Sequence, residues 1–275
     1  MKLLVLGGKG MAGHVLTAYF KQKHKDVYFT SRDASDPHGY VLDVLDTVQL
    51  ESVIDEVQPD VVINAIGVLN ESAEQNKELA FQVNALLPHQ LVKLMNRRKG
   101  KVVHISSDCV FKGDKGNYTE SDQPDGITVY AKSKALGEVT EFPHLTVRTS
   151  IVGPELKGNG IGLLQWFLKQ TGEIKGFDQA FWNGVTTLEL AKAIDSLIQQ
   201  ETTGLYHLHA PETVSKFELL TLFKEVFQKE DVTIVPSSEL KLDRTIVHTR
   251  TDAFYDVQPY RAMLQELKAW MKDYA

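Results

Sequence analysis

The sequence predicts a doubly wound α/β fold, a parallel sheet followed by a smaller lobe, from three observations. Residues 2–7 form an apolar run that ends in a glycine turn and opens a helix. From there to about residue 151, short strand-like runs alternate with helical patterns, the rhythm of a parallel sheet covered on both faces. After about Gly153 that rhythm changes.

The elements follow in order. The first strand, 2–7, is apolar throughout, as a strand buried on both faces must be. A helix runs from about Met11 to Lys23. Val27–Ser31 is the second strand and Tyr40–Val44 a short third one, with a helix at Val48–Val57. Asp60–Ala65 is the fourth strand, followed by a helix over roughly Lys77–Arg97. Lys101–Ser106 is the fifth strand, Tyr130–Phe142 a helix and Leu145–Ile151 the sixth strand. Helices are then expected at 160–170, 187–200, 215–229 and 260–273, with short strands near 174–177, 204–209 and 232–235. The expected division is 1–153 for the sheet and 154–275 for a C-terminal α/β lobe that partly interleaves with it.

The composition narrows the function. The 275 residues are 43% hydrophobic and 24% charged, ordinary for a globular chain. A net charge of −6 argues against a general nucleic-acid binder, and the basic run Lys93–Lys101 reads as the cationic end of a helix. A single cysteine, Cys109, rules out an intrachain disulfide and suits a reducing cytoplasm. No apolar stretch is long enough to cross a bilayer, so a cytoplasmic protein, monomer or homodimer, with no membrane partner is expected. The nine histidines are scattered, and no metal site is expected.

Gly7-Gly8-Lys9-Gly10-Met11-Ala12-Gly13 holds both Gly-x-Gly-x-x-Gly and Gly-x-x-Gly-x-x-Gly. Between a strand and a helix, such a turn lets the backbone approach a pyrophosphate that the helix N-terminus receives. The first unit is therefore expected to be a Rossmann-type dinucleotide-binding domain. The second strand ends in Arg32, which suits a 2′-phosphate and hence NADPH; Lys9 adds charge. Asp33, one residue on, is the rival and would favour NADH. Asp43 and Val44 end the third strand, where a carboxylate can accept the adenine amino group. Ala65 and Gly67, in Asn64-Ala65-Ile66-Gly67, end the fourth strand on the expected nicotinamide side.

Tyr130 and Lys134 stand four apart in Val-Tyr-Ala-Lys-Ser-Lys, on one helix face a turn apart. A fixed cation near a phenol favours its phenolate and is expected to lower its pKa toward the range of a useful acid–base group. Ser107, followed by Asp108, lies at the end of the fifth strand, 23 residues before Tyr130.

Glycine turn, Asn-Ala-x-Gly, serine and Tyr-x-x-x-Lys, in that order, resemble the extended short-chain dehydrogenase/reductase superfamily. Within it, the chain is most similar to the dTDP-4-dehydrorhamnose reductase-like reductases of nucleotide-linked 4-keto-6-deoxy sugars. His104–Phe111 resembles that family's strand-end Ser-Thr-Asp-Tyr-Val-Phe; Arg148–Pro154, Gln82–Pro88 and Gly184–Ala191 add to the likeness. The resemblance implies that Tyr130 protonates the reduced carbonyl oxygen. It gives Lys134 the nicotinamide ribose and Tyr130's pKa, and Ser107 the substrate carbonyl. Asn84 would support Lys134 through water. It implies a nucleotide-sugar substrate contacted by Ser107, Asp108 and Tyr130, in surface polysaccharide precursor synthesis. Cys109 departs from the family tyrosine and reads as packing. The Asp-Glu pair of the related 4,6-dehydratases is Asp108-Cys109 here, which argues against elimination chemistry. Phe181-Trp182-Asn183 is also a departure; Trp182 is expected either to stack on the substrate or to belong to the lobe core. A sugar-nucleotide epimerase with tightly held NAD and a non-catalytic, cofactor-binding regulatory subunit are the alternatives.

Overall fold

The computed structural model describes residues 1–158 and 160–274; Asn159 and Ala275, both on the lobe side of residue 153, lie outside the described residues. β1 (Leu3–Leu6) is buried along its whole length. Leu3 and Val5 enter one core, Leu4 and Leu6 the other, as the two-residue period of a strand requires. α1 (Met11–Lys23) covers the first face. β2 (Val27–Ser31) and β3 (Tyr40–Val41) follow, then α2 (Thr47–Val57) and β4 (Val61–Asn64). α3 (Asn70–Gln75) and α4 (Lys77–Ala80) lead into a π-helical stretch, Phe81–Leu86, and then α5 (Leu87–Arg97). β5 (Lys101–Ile105), α6 (Val129–Leu136) and β6 (Leu145–Arg148) complete the first half.

The lobe begins with β7 (Ile151–Val152), α7 (Leu163–Leu168), β8 (Gly172–Phe177), β9 (Ala180–Trp182), β10 (Val185–Thr186) and α8 (Thr187–Gln199). β11 (Gly204–His207), β12 (Val214–Ser215), α9 (Lys216–Phe227), β13 (Val232–Ser237), β14 (Leu242–Asp243) and α10 (Tyr260–Tyr274) follow. The main sheet has seven strands in the order β11-β6-β5-β4-β1-β2-β3, with every pairing parallel. The chain runs outward from β1 through β2 and β3, then crosses back to β4. That reversal opens a crevice beyond the carboxyl ends of β1 and β4.

Several expectations are revised. The third strand is two residues long. The helix expected over 77–97 carries a π-helical turn in its middle. The helix expected over 130–142 stops at Leu136, and the capping residue, Gly137, passes so close to that turn that a Cβ there would lie 1.9 Å from the Asn84 carbonyl oxygen. The sixth strand ends at Arg148, and β7 turns away to pair with β10. β11 returns to the main sheet, pairing Tyr206 with Val147 and His207 with Arg148. One core cluster runs from Leu3 in β1 to Trp270 in α10, so sheet and lobe share it. Among the described residues no helix is long and apolar enough to cross a membrane.

Candidate active site

The glycine turn fits a tightly held anion. Gly7 has φ of +79°, a conformation that side chains disfavour, and a Cβ on Gly13 would lie 2.0 Å from the Gly7 carbonyl oxygen. α1 therefore packs directly on the end of β1. No side chain caps its N-terminus, whereas Asp46, Thr128, Thr186 and Ser215 cap α2, α6, α8 and α9. Its first turn also carries no acidic residue, which leaves the helix start positive and open to a phosphate at Met11, Ala12 and Gly13. Ala65 adjoins this turn, within 3.6 Å of a Cβ built on Gly7, and Gly67 is exposed just beyond.

Arg32 is exposed and makes no hydrogen bond or ion pair among the described residues. Asp33 is committed to its own turn: Oδ1 accepts from the Ser35 amide at 2.9 Å and the Ser35 hydroxyl at 2.6 Å. Lys9 is paired with Asp36 at 2.8 Å, so it stands beside the turn already partnered. Asp43 is exposed and accepts from the Leu45 amide at 3.1 Å, a turn role, while Val44 packs on the second core.

β5 delivers Ser106 and Ser107 to the sheet edge. Ser107 Oγ accepts from the Cys109 amide and donates to Asp108 Oδ1, both at 3.1 Å, which folds Asp108–Val110 into a short 3-10 turn. Thr128 caps α6 and starts it so that Tyr130 faces this turn. Burial raises the Tyr130 pKa, Cys109 and Asp108 raise it further, and Ser107 alone acts to lower it. The expected lowering by Lys134 is absent, because its Nζ is directed elsewhere. Lys134 Nζ donates to the Ile105 carbonyl at 2.6 Å and lies 3.1 Å from His104 Nε2. Burial lowers its pKa to about 8, with Glu138 opposing.

Asn84, in the π-helical turn, is buried and does not bond Lys134. Its amide spans the Val68 backbone, donating to the carbonyl and accepting from the N–H at 2.8 Å each, and donates to Ser133 Oγ at 3.0 Å. It thus ties the strand-end loop after Gly67 to the helix of Tyr130. Trp182 is buried in the lobe core: its ring stacks on Tyr260 at 5.5 Å and carries Lys216 Nζ at 4.9 Å, so the alternative of a substrate-stacking face is not met. Burial pushes the Cys109 thiol up to about 12, which makes it a packing residue despite Arg244 at 3.7 Å.

Three groups were missed. Lys216 faces Asp108 and Cys109 from the first residue of α9, with its pKa lowered to about 8 by burial and no hydrogen-bond partner among the described residues. The signal was a lysine at the start of a Ser-x-x-Glu capping box, where the helix dipole disfavours a cation. Arg244 donates to the Phe111 carbonyl at 2.9 Å from the loop after β14. His104 reads in sequence as one more residue of a buried strand.

Residues 1–268 match the family described as RmlD substrate binding domain. A dTDP-4-dehydrorhamnose reductase from Mycobacterium tuberculosis is 26% identical, over 98% of this chain and 90% of that protein. Methionine adenosyltransferase 2 subunit beta from Danio rerio is 24% identical, over 86% of this chain and 77% of that protein. A crystal structure of dTDP-4-dehydrorhamnose reductase from Bacillus anthracis in complex with NADP is 22% identical and superposes with a TM-score of 0.85, covering 98% of this chain and all of that one.

Proposed function

From the premise that the chain belongs to the RmlD substrate binding domain family, we propose that it is an NADPH-dependent reductase of the 4-keto group of a nucleotide-linked 4-keto-6-deoxy sugar, in surface polysaccharide precursor synthesis. One juxtaposition carries the reading: Ser107 and Tyr130 face each other beyond the carboxyl end of β5, with Lys134 a turn further along α6, on the same edge of the sheet as the uncapped helix start after β1. When bound, the reduced nicotinamide supplies the hydride. Met11, Ala12 and Gly13 receive the pyrophosphate through backbone N–H groups. Arg32, free of partners among the described residues, takes the 2′-phosphate, and the relative that binds NADP supports that choice.

Tyr130 supplies the proton. Its raised pKa keeps the phenol protonated at neutral pH, the form that a reduction needs. Ser107 exchanges its bond to Asp108 for one to the substrate carbonyl, where charge develops. Lys134 holds the cofactor's ribose. Lys216 and Arg244 bring positive charge from the lobe to a substrate that carries a diphosphate.

The test is nicotinamide absorbance with NADPH or NADH and a panel of dTDP-, UDP- and GDP-4-keto-6-deoxy sugars. Oxidation with one donor, lost in Tyr130→Phe, is expected. Tight cofactor binding with no oxidation of any donor would overturn the reading. It would favour the second one, a regulatory subunit, to which the likeness to methionine adenosyltransferase 2 subunit beta points.

A further inference from the structure

His104 is a wholly buried imidazole that the reaction above does not use. It lies in β5 directly behind Lys134, and its two nitrogens face two different groups. Asn64 Nδ2 stands 3.1 Å from Nδ1. Lys134 Nζ stands 3.1 Å from Nε2. Asn64 is itself oriented, because the Ile66 amide donates to its Oδ1 at 3.2 Å. Turning the Asn64 amide over would set its NH2 against that N–H, two donors without an acceptor.

Hydrogen bonding then fixes every proton in the chain of contacts. Asn64 donates, so His104 Nδ1 accepts and is bare. A neutral imidazole with a bare Nδ1 carries its proton on Nε2, directed at Lys134. An ammonium has three donors and no lone pair, so it cannot receive that N–H. A neutral amine can, and it still has a hydrogen for the Ile105 carbonyl at 2.6 Å.

We infer that Asn64 and His104 hold Lys134 as a neutral amine in the cofactor-free protein, and that Lys134 takes one proton from solvent on leaving His104 to receive NADPH. An N–H bond forms at Nζ, and a buffer acid or water loses the proton. The naming of NADPH rests on the reductase reading; the resting state does not. Both residues are positioning residues that act through Lys134. Burial works in the same direction, lowering His104 well below the usual imidazole range and Lys134 to about 8, and the His104 N–H aimed at Nζ takes Lys134 lower still. Glu138, two residues past α6, pulls toward the ammonium, but it is paired with Arg148 of β6. His89 of α5 acts on His104 and favours its neutral form. Tyr130 and the Cys109 thiol, toward the substrate, are both pushed up by burial and stay neutral. The Asp108 carboxyl beside them is raised as well.

Two measurements test the inference. Long-range proton–nitrogen NMR of the cofactor-free protein, with His104 assigned by its loss in His104→Gln, should show a proton on Nε2 and none on Nδ1 from pH 6 to 9. A proton on Nδ1, or on both nitrogens, overturns it. Second, NADPH affinity should fall about tenfold for each pH unit from pH 7 to pH 9, since the resting amine must take up one proton throughout that range. Asn64→Asp offers an oxygen to Nδ1, moves the ring proton off Nε2, and lets Lys134 rest charged; its affinity should stay level over that range. An unchanging wild-type affinity, or the same fall in Asn64→Asp, overturns the inference. His104→Gln, whose amide oxygen can accept from an ammonium, gives the same expectation should Asn64→Asp not fold. Failure of every nucleotide sugar to be reduced sinks only the reductase reading, and failure to bind NADPH leaves the NMR result to decide.

Discussion

Lys134 on α6 reaches the end of β5 and Lys216 faces the Asp108–Cys109 turn that follows it from the lobe, and both are lowered to about 8 by burial. Their surroundings differ. Lys134 has the Ile105 carbonyl and His104 within hydrogen-bond distance, and the helix that bears it is tied to β6 by the buried Glu138–Arg148 pair. Lys216 rests over the Trp182 ring with no hydrogen-bond partner among the described residues. The sheet side is built with its polar groups satisfied, whereas the lobe side holds a cation for something that arrives. Desolvation alone does not distinguish the two lysines; the partners do.

The largest test of that contrast is Tyr130→Phe. It should cost about 10²- to 10⁴-fold in kcat with NADPH affinity kept, read by steady-state kinetics and fluorescence titration. Retained turnover would move the acid off the sheet side. Next is the buried pair. Arg148 donates to Glu138 through Nε at 2.7 Å and Nη2 at 2.6 Å, and Ser106 adds a third bond to Glu138. Glu138→Ala should lower unfolding stability by about 3–5 kcal/mol in urea, and adding Arg148→Met should recover part of that loss. No recovery would mean that packing, not the uncompensated guanidinium, causes the loss.

A smaller effect concerns His207, whose Nδ1 lies 3.0 Å from the Val247 carbonyl and whose Nε2 faces Arg148 at 3.2 Å. Burial lowers its pKa to about 4, with Arg148 adding to the fall and Glu120 opposing it. The folded protein then binds fewer protons than the unfolded chain between that value and the ordinary imidazole value of 6.5. Stability should fall as pH drops through this window, by up to about 1.4 kcal/mol per unit for this one group. Urea midpoints at pH 7, 5.5 and 4.5 would show it, and His207→Gln should flatten the trend. The smallest expected change is that of Lys216→Met: about a tenfold higher KM for the nucleotide sugar, roughly one charge-assisted hydrogen bond, with the KM for NADPH unmoved. Equal changes in both would place Lys216 in general scaffolding.

Much of the sheet side was legible because its signals are local. Gly7, Gly10 and Gly13 sit where a strand must turn tightly into a helix, and the buried strands are continuous apolar runs. Tyr130 and Lys134 needed only helical spacing. What escaped was long-range. The helix after Tyr130 has no breaker before Pro143 except Gly137, and only the close passage of Asn84 shows why that position has no room for a side chain. The lowering expected for Tyr130 assumed that its lysine faces it; the pull of Ile105 and His104 on that lysine is a contact between strand and helix that spacing does not encode. Trp182 read equally as a stacking platform, and Tyr260, 78 residues on, decided for the core.

The return of β11 to the sheet has a consequence for synthesis on the ribosome. β6 has its outer edge unpaired until Gly204–His207 arrives, about sixty residues after Leu145. At roughly 5–20 residues per second, that leaves the growing chain with an open, apolar strand edge for about 3–12 s. A fragment ending at residue 153 would keep that edge permanently and should self-associate, so nucleotide-binding half and lobe mature as one unit.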